Sequence, residues 1–278
     1  MRRVRVLVVG LGEVGKPLYD IVVGSGCCEV YGYDVDASRT VDRLEDIVSP
    51  VDYLHIAIPY SGGFIEAVKS YVDMFSPRIT FIHSTVAPGT TREIYGLTGK
   101  PVAYTPVRGK HPHLKKHLLF WSKWVATLPR ECIGEAASHL EGLGFKVRRY
   151  GGSPESLELA KLWETVYRAV MIASWQELHR IARQYNADLL AIADFVGEVH
   201  KVLHDRPIYY PAYIGGHCLI PNTEILYKVT GSPLLKFVLE SNEKRLKELE
   251  DESLRREVEE LRKKVFEEYT NKNYYTDP

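Results

Sequence analysis

The sequence is poor in the features that would narrow its role at once. Neither sign of charge dominates: lysine plus arginine number 36 and aspartate plus glutamate number 36 among 278 residues. No global field therefore draws the chain to nucleic acid or to an anionic membrane. Cysteine is scarce, with four residues at 27, 28, 132 and 218. Their spacing suits no metal site, and the vicinal Cys27-Cys28 pair is poorly placed for an ordinary disulfide, so reduced thiols and no metal are expected. Apolar runs are short; Val4 to Val9 is interrupted by Arg5, far below the roughly 20 residues of a membrane helix. Met1-Arg2-Arg3-Val4 leads straight into a strand-like segment without the apolar stretch and cleavage site of a signal peptide, so the protein is expected in the cytoplasm. There is no internal repeat and no low-complexity linker.

What is present is the composition of an ordinary globular protein, 45% hydrophobic and 26% charged, with length for two unequal domains. The first half alternates short β-branched runs with helical patterns, which predicts an α/β fold with a Rossmann-type doubly wound parallel sheet. Strands are expected at Val4 to Val9, Glu29 to Tyr33, Tyr53 to Ile58 and Ile79 to His83, with helices at Val14 to Val23, between the second and third strands, and near Phe64 to Phe75. Further strands are expected at Pro101 to Tyr104, Trp124 to Leu128 and Lys146 to Arg149. After Gly151-Gly152, Ser153 suits an N-cap and Pro154 a first helical turn, so a long helix should run from here towards Asn186. The remainder reads as all helical. From Glu240 to Glu268 about two-thirds of the residues are charged, with leucines and valines at helical intervals, which predicts one amphipathic helix. Asn271 to Pro278 reads as a frayed end.

Gly10-Leu11-Gly12-Glu13-Val14-Gly15 follows an apolar strand and opens a helix. In that setting Gly10 permits a tight turn, Gly12 lets the backbone approach a pyrophosphate, and Gly15 lets helix and strand pack closely. The helix N-terminus adds N–H donors and positive potential for the phosphates. Asp34 ends the second strand about 20 residues on; a carboxylate there bonds a ribose 2'-hydroxyl and repels a 2'-phosphate, so NAD is favoured over NADP. Asp36, two residues further, reads as a loop or cap residue.

Three more segments carry a pattern: Asp52 to Pro59, His83-Ser84-Thr85 continuing to Arg92, and Gly215-Gly216-His217-Cys218. With the glycine loop they resemble the UDP-glucose/GDP-mannose dehydrogenase family over residues 1 to about 245. The helix from Lys161 to Leu178 looks most like the UDP-N-acetylmannosamine dehydrogenase branch. The resemblance implies NAD as cofactor, bound by the residues 10 to 15 loop with Glu13 and Val14, by Asp34, and by Pro59 and Ser84. It implies oxidation of a primary alcohol of a sugar in two hydride transfers, with the aldehyde held on a cysteine as a thiohemiacetal that becomes a thioester. Cys218 matches that nucleophile, Lys161 the lysine that stabilises charge on oxygen, and Thr85 the threonine that positions water. On a helix Lys161, Glu164, Thr165 and Arg168 share one face, expected to line a cleft. Residues 215 and 216, both glycine, would let the cysteine loop approach substrate.

The match departs from the family at three positions: Thr165 replaces an asparagine, Asn222 an aspartate and Val107 a glutamate. The carboxylates that would activate water for thioester hydrolysis are gone, and Glu164 and His217 are the neighbouring candidates to substitute. Beside Val107 lies the dense basic run from Arg108 to His117; Arg108, Lys110 and His111 are candidate substrate contacts, with a solvated basic face as the plain alternative. Family members continue into a nucleotide-sugar-binding domain where this sequence offers only its charged segment after Glu240.

Several alternatives stay open. Cys218 read by itself is more often a buried structural thiol, and Lys161 has a solvated Lys-Glu pair on a surface helix as its plain alternative. A β-hydroxyacid-type dehydrogenase would need one hydride transfer, Lys161 and no cysteine, and a catalytically degenerate NAD-binding subunit would need neither. The domains expected are an NAD-binding domain over 1–152, a helical dimerisation domain over 153–245 and a charged helix and tail over 246–278. A homodimer is expected through the apolar bulk of Trp163, Tyr167, Val170, Met171 and Trp175, with a small-molecule alcohol, possible nucleotide sugars included, as the other partner.

Overall fold

The computed structural model describes residues 3–270; the expectation of a frayed end over 271–278 lies outside them. The chain divides into two compact units, with the boundary between Lys161 and Leu162. The first contains a seven-stranded sheet in the order β2-β1-β3-β4-β5-β6-β7. Its strands are β1 (Val4–Val9), β2 (Cys28–Tyr33), β3 (Tyr53–Ile56), β4 (Ile79–Ile82), β5 (Val102–Tyr104), β6 (Lys123–Leu128) and β7 (Val147–Arg149). Strands β1 to β5 are mutually parallel, as the β-branched runs predict. The sheet is not wholly parallel, because β6 pairs antiparallel to β5 and β7 follows β6. The chain leaves β5 at the carboxyl edge and re-enters β6 from that same edge after the short helix α4 (Leu114–Phe120). Lys123 is thereby placed beside the end of β5.

Alternation along the strands sorts the core into two layers. Val6, Val8, Tyr53 and Phe81 face Leu18 and Val22 of α1 (Gly15–Gly24), Leu114 of α4, and Ala136 and Leu140 of α5 (Ile133–Gly142). Leu7, Leu54, Ile56 and Ile82 face Phe64, Val68 and Val72 of α2 (Phe64–Phe75) and Ile94 of α3 (Thr90–Thr98). Helices on both faces make the sheet doubly wound. Phe81 is fully buried, and truncating it to alanine costs about 3–5 kcal/mol.

One expected helix is missing. Between β2 and β3 there is only a short 3-10 turn at Leu44–Asp46. The segment is rich in aspartates that satisfy local amides instead: Asp34 Oδ1 accepts from Asp36 N, Asp36 Oδ1 from Ser38 N, and Asp42 Oδ2 from Gly32 N. Such side chains compete with the helical ladder and stabilise turns.

The long helix α6 (Pro154–Gln184) begins where Pro154 predicts. In its first turns Glu158 is fully buried and closes the N-terminus of α3, accepting from Gly89 N at 2.7 Å, Thr91 N at 2.9 Å and Thr91 Oγ1 at 2.6 Å. The second unit comprises the rest of α6 with α7 (Leu189–Leu203), α8 (Leu219–Thr230), α9 (Pro233–Glu248) and α10 (Glu252–Glu268). The charged stretch is thus two helices and not one. Asp251 separates them, its carboxylate accepting from Ser253 N and Leu254 N as the N-cap of α10. Leu254, Val258, Leu261 and Val265 are buried as the helical spacing requires, while Leu246 is exposed.

Polar side chains hold this unit together from within. Arg245 and His179 are fully buried; Arg245 donates to Gln176 O at 2.8 Å and its Nη1 meets His179 Nδ1 at 3.2 Å, while His179 Nε2 meets Glu257 at 2.6 Å. Of the five residues expected at a dimer face, Trp163 and Tyr167 are 47% and 49% exposed, but Trp175 is consumed by the core of its own unit. Among the described residues no helix is long and apolar enough to cross a membrane.

Candidate cofactor and catalytic site

The glycine loop joins β1 to α1 with the geometry its spacing requires. Gly10 has φ +86°, and a Cβ there would meet Ala57 O at 2.7 Å. A Cβ on Gly15 would lie 1.6 Å from Gly10 O, so only glycine lets the loop turn onto the helix. At Gly12 the nearest neighbour of such a Cβ is Arg39 Nη1 at 3.5 Å, so the space that a pyrophosphate would enter is open. The amide end of α1, with Glu13 and Val14 in its entry turn, opens onto that space. Asp34, 9% exposed, accepts from Leu11 N at 2.6 Å and so sits against the loop. Each carboxylate oxygen keeps a lone pair for a ribose hydroxyl. These residues fit a dinucleotide. Asp36, by contrast, bonds Ser38 N and Oγ and serves as a loop cap.

At the carboxyl ends of β3 and β4, Ser84 Oγ donates to Ile58 O at 2.6 Å, which ties the loop bearing exposed Pro59 to the loop bearing half-buried Thr85. The basic run is not one solvated face. Arg108 donates to Ser122 O at 2.7 Å and lies 5.1 Å above the Trp121 ring. Lys110 N donates to the buried His117 at Nδ1, and His111 Nε2 lies 3.5 Å from Glu13 Oε2 of the glycine loop. Two candidates from separate motifs, His111 and Glu13, are thereby brought together.

Lys123 was not singled out by its sequence. It is buried at the start of β6, donating to Thr105 O at 3.1 Å and Pro106 O at 3.5 Å. Burial, and then the positive charges of Lys161 and Arg108, push its amine down to about 7. Lys123, Lys161 and Arg108 therefore form one cationic group in this unit. Below it three imidazoles meet: His55 Nδ1 lies 2.8 Å from His83 Nε2, and His55 Nε2 lies 2.9 Å from His139 Nε2. Burial holds all three below the usual imidazole range, His139 at about 3. The available signal was parity: Tyr53 and His55, like Phe81 and His83, are two residues apart and share a strand face.

In the helical unit Cys218 is exposed and is the N-cap residue of α8, after Gly216 with φ +80°. Gly215 lies 3.8 Å from the Tyr213 ring, measured from the Cβ it lacks. Asn222 N donates to Cys218 O at 3.0 Å in the first turn. Asn222 Nδ2 donates to Thr165 Oγ1 at 2.9 Å, and Thr165 Oγ1 donates to Leu162 O at 2.9 Å. Two of the three departures from the family pattern are thus bonded to each other, a neutral pair where a carboxylate and an amide are expected. The expected polar stripe is divided: Lys161 and Thr165 are half-buried, Glu164 and Arg168 exposed. His217, beside Cys218, is exposed.

A doubly wound sheet with a glycine loop and a strand-end aspartate at its carboxyl edge, followed by a helical unit, defines a Rossmann-type protein with an appended helical domain. Residues 155–244 match the UDP-glucose/GDP-mannose dehydrogenase family, central domain. Among solved structures it is similar to UDP-D-ManNAc dehydrogenase from Pyrococcus horikoshii, with TM-score 0.71 and 22% identity over 87% of this chain and 68% of that one. It is also similar to the UDP-N-acetyl-mannosamine dehydrogenase of Staphylococcus aureus, with TM-score 0.70 and 18% identity over 96% of this chain and 72% of that one. The 3-hydroxyisobutyrate dehydrogenase of Mycobacterium tuberculosis matches with TM-score 0.61 and 18% identity over 94% of this chain and 100% of that one. No curated protein sequence matches the chain.

Proposed function

We propose that the chain is an NAD-dependent dehydrogenase that oxidises a sugar-type CH–OH carbon, with Lys161, Thr85 and Cys218 as its reacting groups. The observation that carries this is the pairing of an open glycine loop with Asp34 in one unit and the family's central domain in the next. The nicotinamide, when bound, accepts hydride. Gly12 and the amide end of α1 hold the pyrophosphate, and Asp34 the adenine ribose. Lys161 supplies positive charge beside the substrate oxygen, and Thr85 offers its hydroxyl to water. The thiol of Cys218 adds to the aldehyde carbon, its proton passing to the carbonyl oxygen, so that the aldehyde stays bound for a second oxidation. At the N-terminus of α8 the sulfur lies where negative charge is favoured. The Thr165–Asn222 pair supplies no carboxylate base, so hydrolysis falls to Glu164 or His217 and is the slow step. Arg108, Lys110, His111 and the glycines at 215 and 216 are the substrate contacts of this reading.

A second reading, single-step oxidation of a β-hydroxyacid, is favoured by the match to 3-hydroxyisobutyrate dehydrogenase over that chain's whole length. It is favoured too by the cations Lys123, Lys161 and Arg108, which suit a carboxylate. NADH yield per substrate across UDP-sugars, GDP-sugars, sugar phosphates and hydroxyacids separates the two. Two NADH per sugar, falling to one in Cys218→Ser, is expected. One NADH per hydroxyacid, insensitive to Cys218→Ser, would replace the cysteine mechanism with the second reading, and NAD binding without any NADH would leave a degenerate subunit.

A further inference from the structure

The three histidines cross the sheet layer in a definite order. His139 is on α5 and, at 9% exposure, is the least buried of the three. His55 is on β3 and fully buried. His83 follows β4 at the carboxyl edge, next to Ser84 and Thr85, and its Nδ1 is buried and unpartnered; the Thr105 backbone lies beside it without a completed hydrogen bond. The rings are fixed by stacking: His139 lies 3.8 Å from the Tyr53 ring, and His55 lies 4.7 Å from Phe81 and nearly parallel to it. The charged groups around the chain are Lys123 at its inner end and, at its outer end, Arg78 and Glu135, which meet each other at 2.7 Å beside Tyr53.

A neutral imidazole has one N–H and one lone pair on opposite sides of its ring. Two N···N hydrogen bonds in series therefore allow only two consistent proton orders among neutral rings, and passing from one to the other moves one proton end to end. We infer that His139, His55 and His83 form a proton path between the carboxyl edge of the sheet and solvent. A proton arriving at His83 Nδ1 forms an N–H bond there, and the Nε2–H of His83 breaks as its proton passes to His55 Nδ1. The Nε2–H of His55 passes to His139 Nε2, and the proton on His139 Nδ1 leaves to water. Each ring ends neutral and no electrons are exchanged. The source of the proton rests on the dehydrogenase reading, because each CH–OH oxidation releases one proton with its hydride. A purely structural cluster would need no such order from the least buried residue to an unpartnered inner nitrogen.

The test uses the full chain with histidine labelled in nitrogen-15, following solvent exchange of the His83 ring N–H by NMR. In His139→Gln the amide still bonds His55 but cannot relay a proton, and ring exchange is expected to slow at least tenfold, with the Phe81 backbone amide unchanged as a control for local opening. Should His139→Gln loosen the strands, His139→Phe, which keeps the stacking on Tyr53, supplies the comparison. Equal ring exchange in wild type and folded variant overturns the path. With an alcohol that yields NADH, proton release to bulk seen by a pH indicator should also lag NADH formation in the variant. Slowed ring exchange in a protein that oxidises nothing would uphold the path and sink the dehydrogenase reading alone.

Discussion

The histidine cluster makes the sheet unit sensitive to acid, and the size of the effect follows from its burial. Burial lowers His139 from its ordinary 6.5 to about 3 in the folded chain, so below pH 6.5 the unfolded chain binds a proton that the folded chain refuses. Stability is then complete above about pH 6.5 and is lost as pH falls towards 3. Between pH 7 and pH 5, the lost stability from His139 comes to about 2 kcal/mol. His55 and His83 shift in the same direction for the same cause, so they add to the loss, and His139 alone accounts for a sizeable part of the ~5–15 kcal/mol that holds a typical domain. Amide exchange of Leu54 and Phe81, which lie in the sheet, reads the opening of this unit without the helical one. Protection there should fall steeply between pH 6 and 5 once corrected for intrinsic exchange, and His139→Phe should flatten the fall by about one proton's worth, about 1.4 kcal/mol per pH unit. A wild-type slope below that value, or a slope identical in His139→Phe, would refute the placement of these rings as neutral and buried.

Other perturbations separate turn, packing and network. Gly10→Ala should lose both fold stability and NAD affinity, because φ +86° and Ala57 O leave no room for a Cβ, whereas Gly12→Ala should keep its melting temperature and lose affinity alone; thermal melts and NAD titrations check both. A double-mutant cycle of Thr165→Val and Asn222→Ala should give a coupling of about 1 kcal/mol in urea unfolding. Glu158→Ala, which strips three donors at the start of α3 of their acceptor, should destabilise the sheet unit by about 3 kcal/mol in the same assay.

The sheet was legible because its strands are short runs rich in β-branched and aromatic residues, the central ones buried on both faces, between helices of ordinary period. The glycine loop and Asp34 were legible because Gly10 and Gly15 answer contacts that no other residue satisfies, while the spacing from them marks Gly12 and Asp34. The β2–β3 crossover was not, since its aspartates bond their own turns, and propensity alone does not reveal that competition. The break between α9 and α10 had a signal in Asp251-Glu252-Ser253, an N-cap followed by an acidic first turn, submerged in a segment where about two-thirds of the residues are charged. Lys123 and the histidines were hidden for a different reason. Polar residues inside apolar strands acquire meaning only from the strand beside them, and pairing across β3, β4 and α5 is a tertiary fact. The bond between Thr165 and Asn222, 57 positions apart, shows the same limit: each substitution looks like a loss until its partner is known.

Everything proposed for the site depends on the sheet unit holding NAD through its glycine loop and Asp34. Calorimetric titration of the full chain with NAD and with NADP tests that directly. The account predicts that NAD binds at least tenfold more tightly, about 1.4 kcal/mol, and that Asp34→Asn erases most of the difference. Equal affinity for the two cofactors, or no binding of either, would contradict it.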